Sequence, residues 1–164
     1  MRVWSKQEKM IGIISDTHGL VRPQIIAALT GAELIIHAGD IGSPGVLKSL
    51  EAIAPVIAVR GNNDQDPWAE KIPLTNVVEH QSYCFYVVHE LDHLDVDPVA
   101  SEFSGVIFGH SHRPSAERRK GILYLKPGSA GPRRFTLPIS VACLHLTETG
   151  LTPEIIEIHS GNKR

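Results

Sequence analysis

Three apolar runs in the first 64 residues, MIGIIS, AELIIHAGD and VIAVRGNND, alternate with two stretches of helical character. In RPQIIAALTG, Pro23 sits near a first helical turn and Gly31 marks a stop; in SPGVLKSLEAIAP, Ser43 suits an N-cap and Pro55 closes the segment. Strand, helix, strand, helix, strand leaves few solutions. It calls for βαβαβ connections and a parallel sheet.

Beyond Pro67 the punctuation changes. NVVEH and CFYVVHE read as strands with few residues between them, DPVASEF as a short helix or helical turn, and GVIFGHSH as a further strand. GILYL, ISVACLHLTE and PEIIEIH read as strands joined by turns, as in a second, more antiparallel sheet. The expected class is α/β: a four-layer α/β/β/α sandwich of two mixed sheets, with any site at the carboxyl ends of the strands. No repeat, low-complexity tract or linker divides the chain, and its 164 residues suit one domain spanning 1–164.

Composition narrows the function classes. Hydrophobic residues make up 42% and charged ones 21%, which excludes a disordered chain. A net charge of −2 gives no reason for bulk nucleic-acid binding. No apolar run approaches the ~20 residues of a membrane span, and the segment MRVWSKQEKM lacks the apolar stretch of a secretory signal. Cys84 and Cys143 both lie in apolar, strand-like segments, so two buried thiols in a reducing, cytoplasmic setting are expected.

Nine histidines are the unusual number. Five strand-like runs end in groups that bind metal: Asp16 and His18 in SDTHG, Asp40 in HAGD, Asn62 in RGNND, His89 in YVVHE, and His110 and His112 in VIFGHSH. Ligands collect at such strand ends in open α/β sheets, and the neighbouring Gly39, Gly61 and Gly109 allow sharp turns and close approach. Two Asp, one Asn and four His give seven O and N donors without a thiolate. That is too many for one tetrahedral zinc, and it suits two divalent metals of the Mn, Fe or Zn kind.

In order, DTHG, AGD, GNND, VVHE and GHSH resemble the motifs of the calcineurin-like metallophosphoesterases, and KPGSAGPRR resembles their small bacterial and archaeal phosphodiesterase branch, to which the retromer scaffold subunit is related. The resemblance runs from Met10 to about His159. It implies one metal held by Asp16, His18, Asp40 and His112, and a second by Asp40, Asn62, His89 and His110, with Asp40 bridging. Such pairs lie roughly 3.5–4 Å apart, and a metal-bound hydroxide attacks the phosphorus. The implied cofactors are two divalent ions, Mn foremost, with Fe, Zn, Ni or Mg as other choices. The implied partner is a small-molecule phosphate ester, with no membrane; relatives in this branch are often dimers or tetramers, so a homo-oligomer is compatible. Two alternatives stand beside the phosphodiesterase: a phosphomonoesterase or nucleotide phosphatase on the same site, and a non-catalytic scaffold.

Asn62, Asn63, Asp64 and Arg113 are the candidate catalytic assistants, with Arg133 added if its loop folds over the site. Two positions depart from the family pattern. Asn63 stands where many members carry a histidine, and an amide cannot supply a proton near neutral pH; this favours leaving groups that depart easily, such as aryl esters. Glu90 follows His89 where glycine is usual, and the acidic LDHLDVD loop (Asp92, His93, Asp95, Asp97) comes next. His37 is expected to orient Asp40 or to pack in the core. His80, His145 and His159 are expected to be structural, and no site is read into Trp4 or Trp68.

Overall fold

The fold is described for residues 9–159 of a computed structural model, so Trp4 lies outside the described residues. Alternate residues of β1 (Lys9–Ile14) enter different cores: Ile11 and Ile13 one, Ile14 the other. After α1 (Pro23–Leu29), β2 (Leu34–His37) repeats the division, with Leu34 and Ile36 on one side and Ile35 on the other. Strands apolar on both faces need cover on both. On the outer face α1 and α2 (Pro44–Glu51) supply it through Ile25, Leu29, Val46 and Leu50. β3 (Val56–Ala58) pairs parallel to β2, as β2 does to β1, so the βαβαβ expectation holds.

A 3₁₀ turn at Pro67–Lys71 leads to β4 (Thr75–His80) and β5 (Tyr83–Val88), an antiparallel pair. β6 (Gly105–Ile107), β7 (Ser115–Arg119) and β8 (Ile122–Lys126) complete a sheet of order β4-β5-β6-β8-β7, in which β5, β6 and β8 are parallel. β9 (Ile139–Thr147) and β10 (Gly150–Ile158) return to the first sheet, whose order is β10-β9-β1-β2-β3. Phe85, Val87, Ile107, Leu123 and Leu125 meet Ile11, Ile13 and Ile36 between the sheets. This is the expected sandwich of two mixed sheets.

The layer outside the second sheet is thin. A 3₁₀ turn (Leu91–His93) and a helical turn at 97–103, closed by Phe103 N–H to Pro98 O (3.0 Å), lay Phe103 against Tyr86, Val106 and Ile122. Strand β7 went unread in the sequence because SAERR is a mostly exposed edge with no apolar alternation. Both cysteines are free thiols, Cys143 buried as expected and Cys84 only half-buried, and among the described residues no helix is long and apolar enough to cross a membrane.

Candidate metal centre

The parallel strands of both sheets send their carboxyl ends to one place, and each sequence-expected ligand follows one of them. Two groups form there: Asp16, His18 and His112, and Asp40, His89 and His110, with the donor atoms of each group within 4.8 Å of one another. The groups adjoin. His89 Nε2 lies 3.3 Å from Asp40 Oδ2 and 3.8 Å from Asp16 Oδ1; His18 Nε2 lies 4.0 Å from Asp16 Oδ1 and 3.8 Å from Asp40 Oδ2. Asn62 stands on the wall of the adjoining cavity beside His89.

The backbone is bent to bring them together. Asp16, His18, Asp40, His110 and His112 all have φ between 46° and 75°, in the left-handed region that a side chain disfavours. Such residues cost roughly 1–3 kcal/mol each and persist where the surroundings over-determine them. Here the surroundings are backbone bonds between loops: Asp16 N–H to Gly39 O (2.9 Å), His18 N–H to Asp40 O (3.0 Å) and Gly131 N–H to Asp16 O (3.1 Å). A side chain at Gly39 would bring its Cβ to 2.6 Å from His89 Nδ1, and one at Gly61 would strike Asp40.

Hydrogen bonds aim the donors inward. Ser15 Oγ and His110 N–H donate to Asp16 Oδ2, leaving Oδ1 bare. His89 Nδ1–H donates to Ala38 O at 2.7 Å, which fixes the tautomer and leaves a lone pair on Nε2. Five buried side-chain polar atoms among the described residues have no partner. Four of them are Asp16 Oδ1, His18 Nε2, His89 Nε2 and His112 Nδ1. Buried polar groups are almost always hydrogen-bonded, and three of these orphans converge, His18 Nε2 and His89 Nε2 lying 4.0 and 3.8 Å from Asp16 Oδ1, which His112 also approaches through Nε2 at 3.5 Å; such a cluster of carboxylates and imidazoles fits divalent metal ions.

Electrostatics follow from burial and contact. Burial raises the Asp16 carboxyl against the pull of His89 and His112. Burial would also raise Asp40, but the contact with His89 and the Asn63 amide overcome it and bring it to about 2. Burial alone would lower His89; Asp40 and Asp16 reverse this and raise it. His112 is lowered by burial, with Arg134 pushing the same way against Asp16. Arg134 is thus the arginine of the PRR segment whose charge reaches the cluster. Arg133 instead donates to Leu137 O at 3.3 Å.

Other expectations are refined. Asn63 donates from its backbone (2.9 Å) and its side chain (3.1 Å) to the Asp40 carboxylate, so its amide is engaged in holding a ligand. Asp64 is buried and accepts from Ile41, Gly42 and Gly61 N–H at 2.9–3.0 Å; it staples the AGD loop to the GNND loop and presents no oxygen to a substrate. Arg113 is exposed, and among the described residues its side chain has no hydrogen bond or ion pair. Glu90 Oε1 lies 3.3 Å from His110 Nε2, and Oε2 lies 3.7 Å from His93 Nδ1.

His37 does what no single motif announced. Its Nδ1 accepts from Gly39 N–H (3.1 Å), so Nε2 carries the proton toward Thr17 Oγ1 (3.0 Å), whose hydroxyl donates to Ile41 O. One ring ties the DTH loop to the AGD loop, and burial lowers its pKa to about 3, keeping it neutral. The structural expectation for His80 and His145 holds: they pair with Glu33 (2.8 Å) and Glu154 (2.9 Å). In the acidic loop, Asp95 accepts from Tyr86 O–H (3.0 Å) and Asp97 caps the helical turn.

Residues 10–149 match the calcineurin-like phosphoesterase superfamily domain. A probable metallophosphoesterase of Methanothermobacter thermautotrophicus is 33% identical over 159 residues, covering 90% of this chain and 91% of that protein. The phosphodiesterase MJ0936 of Methanocaldococcus jannaschii is 33% identical over 138 residues, covering 72% and 82%. Among solved structures, Vps29 of Chaetomium thermophilum superposes with a TM-score of 0.72 at 19% identity, over 92% of this chain and 95% of that one. This chain therefore belongs to the calcineurin-like phosphoesterase superfamily, as its motif order implied.

Proposed function

We infer that the protein is a phosphodiesterase that uses two divalent metal ions, Mn foremost. The observation that carries this reading is the convergence of two carboxylate–imidazole groups in which Asp16 Oδ1, His18 Nε2 and His89 Nε2 are buried without a hydrogen-bond partner; a relative named a phosphodiesterase supports the reaction class. Asp16, His18 and His112 would hold one ion and Asn62, His89 and His110 the other, with Asp40 between them. Ions so held supply polarisation of a phosphoryl oxygen and acidify a water.

The chain's own groups do the rest. Asn63 keeps Asp40 ionised and oriented, His89 stays in one tautomer through Ala38 O, and Glu90 braces His110. Arg134, whose charge reaches His112, offers a cation to the negative charge that grows on the equatorial oxygens. With an amide at position 63 bonded to Asp40, residue 63 supplies no proton to the leaving group, which favours leaving groups that depart unprotonated. The free thiols support a reducing, cytoplasmic setting.

The test is hydrolysis of bis(p-nitrophenyl) phosphate and p-nitrophenyl phosphate by chelator-stripped protein with Mn, Mg, Zn or no metal, beside His110→Ala. Diester turnover that returns with Mn and is lost in the variant is the expected result. Dominant monoester turnover would move the assignment to a phosphatase, and no turnover with metal bound would move it to a scaffold.

A further inference from the structure

Loop 130–138 starts beside the metal centre and closes on itself. Its base is fixed there: Ala130 N–H donates to Ser15 O and Gly131 N–H to Asp16 O, each at 3.1 Å, and Arg22 Nη1 donates to the Ala130 and Gly131 carbonyls at 2.9 and 2.8 Å. Ser140 N–H to Ser129 O (2.9 Å) shuts the neck. The tip, PRRFTLP, lies between Pro132 and Pro138 and is tightened by a turn, Leu137 N–H to Arg134 O (3.1 Å). Phe135 is four residues from Gly131, so it stays within about 14 Å of a residue bonded to Asp16. Compact loops with adjacent ends are frequently functional.

Phe135 is 87% exposed, more than any other large apolar residue among those described, and holds φ at 56°. A bulky residue rarely adopts that conformation, and such strain gathers at ligand clamps. The charge of Arg134 reaches His112. Arg133 uses Nε on Leu137 O, and among the described residues nothing takes up its terminal nitrogens. Segments 18–22, 111–114 and 131–138, which carry His18 and His112, contain four arginines and no Asp or Glu. The cavities on the His89 and His110 side are lined instead by Glu90, Asp92 and Asp95. One side of the site is therefore cationic and aromatic, the other acidic, and an anionic ring-bearing molecule is steered to the first.

We propose that the tip of this loop recognises the organic ester group of the substrate: an aromatic ring stacks on Phe135, and a second anionic group pairs with Arg133. This rests on the phosphoesterase reading above and adds the substrate class, ring-bearing phosphate esters with a further negative charge. An exposed aromatic side chain stacks on any flat ring, and an arginine fork matches a carboxylate or a phosphate.

Three phosphonates with uncleavable C–P bonds read the loop without turnover: methylphosphonate, benzylphosphonate and 4-carboxybenzylphosphonate, titrated calorimetrically into Mn-loaded protein. Affinity should rise at least fivefold from methyl to benzyl and at least threefold again with the carboxylate. Phe135→Ala should abolish the first increment and Phe135→Trp keep it, while Arg133→Gln should remove most of the second. Equal affinities in the wild type, either increment surviving its variant, or no binding of any phosphonate would overturn the proposal. A first increment that survives while Phe135→Ala elutes as a smaller particle would assign the ring to a second copy of the chain; survival with lost binding to anionic vesicles would assign it to a lipid surface. Ester turnover without the increments keeps the activity and rejects the loop. The increments without turnover keep the loop and reject the activity.

Discussion

Glu90 sits on the boundary between the metal cluster and solvent, and its carboxylate does for His110 what Ala38 O does for His89. Groups that orient a ligand histidine are worth about 10–100-fold in metal affinity. Glu90→Gln should therefore weaken the weaker of two Mn binding steps about tenfold in calorimetry and leave the tighter step within twofold; an unchanged pair of affinities would show that Glu90 serves only its surface turn. Six of the seven expected ligands meet in the two donor groups, and all seven were legible as candidates because each is a donor at a strand end, a property of local sequence. The assistants were not. Asn63 looks like a substrate-facing group in the string GNND, yet it bonds to Asp40, 23 residues away; Asp64 suits a loop-holding role in the same string, but its partners, the amides of Ile41, Gly42 and Gly61, appear only in the fold. Only the closed fold decides where such a side chain points.

At the scale of elements, loops after β2 and β3 depend on the Asp64 staple. Asp64→Ala would strand three backbone amides, at about 1–3 kcal/mol for each one left unsatisfied. A stability loss of about 3 kcal/mol in chelator, measured by denaturant unfolding, is expected, together with weaker Mn binding because Asp40 lies between the stapled amides. A loss below 1 kcal/mol would mean that water replaces the carboxylate. Helix α1 gives the contrasting case. Leu29 is fully buried where α1 meets the first sheet, and Leu29→Ala should cost about 2–5 kcal/mol while the folded fraction still binds Mn normally. These helices and their strands were read from Pro, Gly and apolar spacing, whereas β7 was hidden because an exposed edge strand obeys no burial pattern.

The whole molecule carries a pH dependence through His37. Its folded pKa of about 3 lies below the ordinary 6.5 because the ring is completely buried. The unfolded chain takes up a proton below pH 6.5 that the folded chain refuses, so this contribution is full above 6.5 and is lost as pH falls toward 3. At pH 5 the loss is about 2 kcal/mol, from 1.36 kcal/mol per pH unit. Metal-free protein should thus unfold at lower denaturant at pH 5 than at pH 7.5, and His37→Gln should flatten that difference; an equal slope in the variant would assign it to other groups. The same ring bridges the two loops that carry Asp16, His18 and Asp40, so stability and the site share one support.

In the proposed centre one chain holds two metal ions on two adjoining donor groups. Equilibrium Mn binding to chelator-stripped protein, counted by calorimetry and by metal analysis after gel filtration, tests it most directly. The structure predicts two ions per chain in the wild type and one in both His18→Ala and His89→Ala, each variant losing a different step. One ion in the wild type, or the same step lost in both variants, would contradict a two-metal centre.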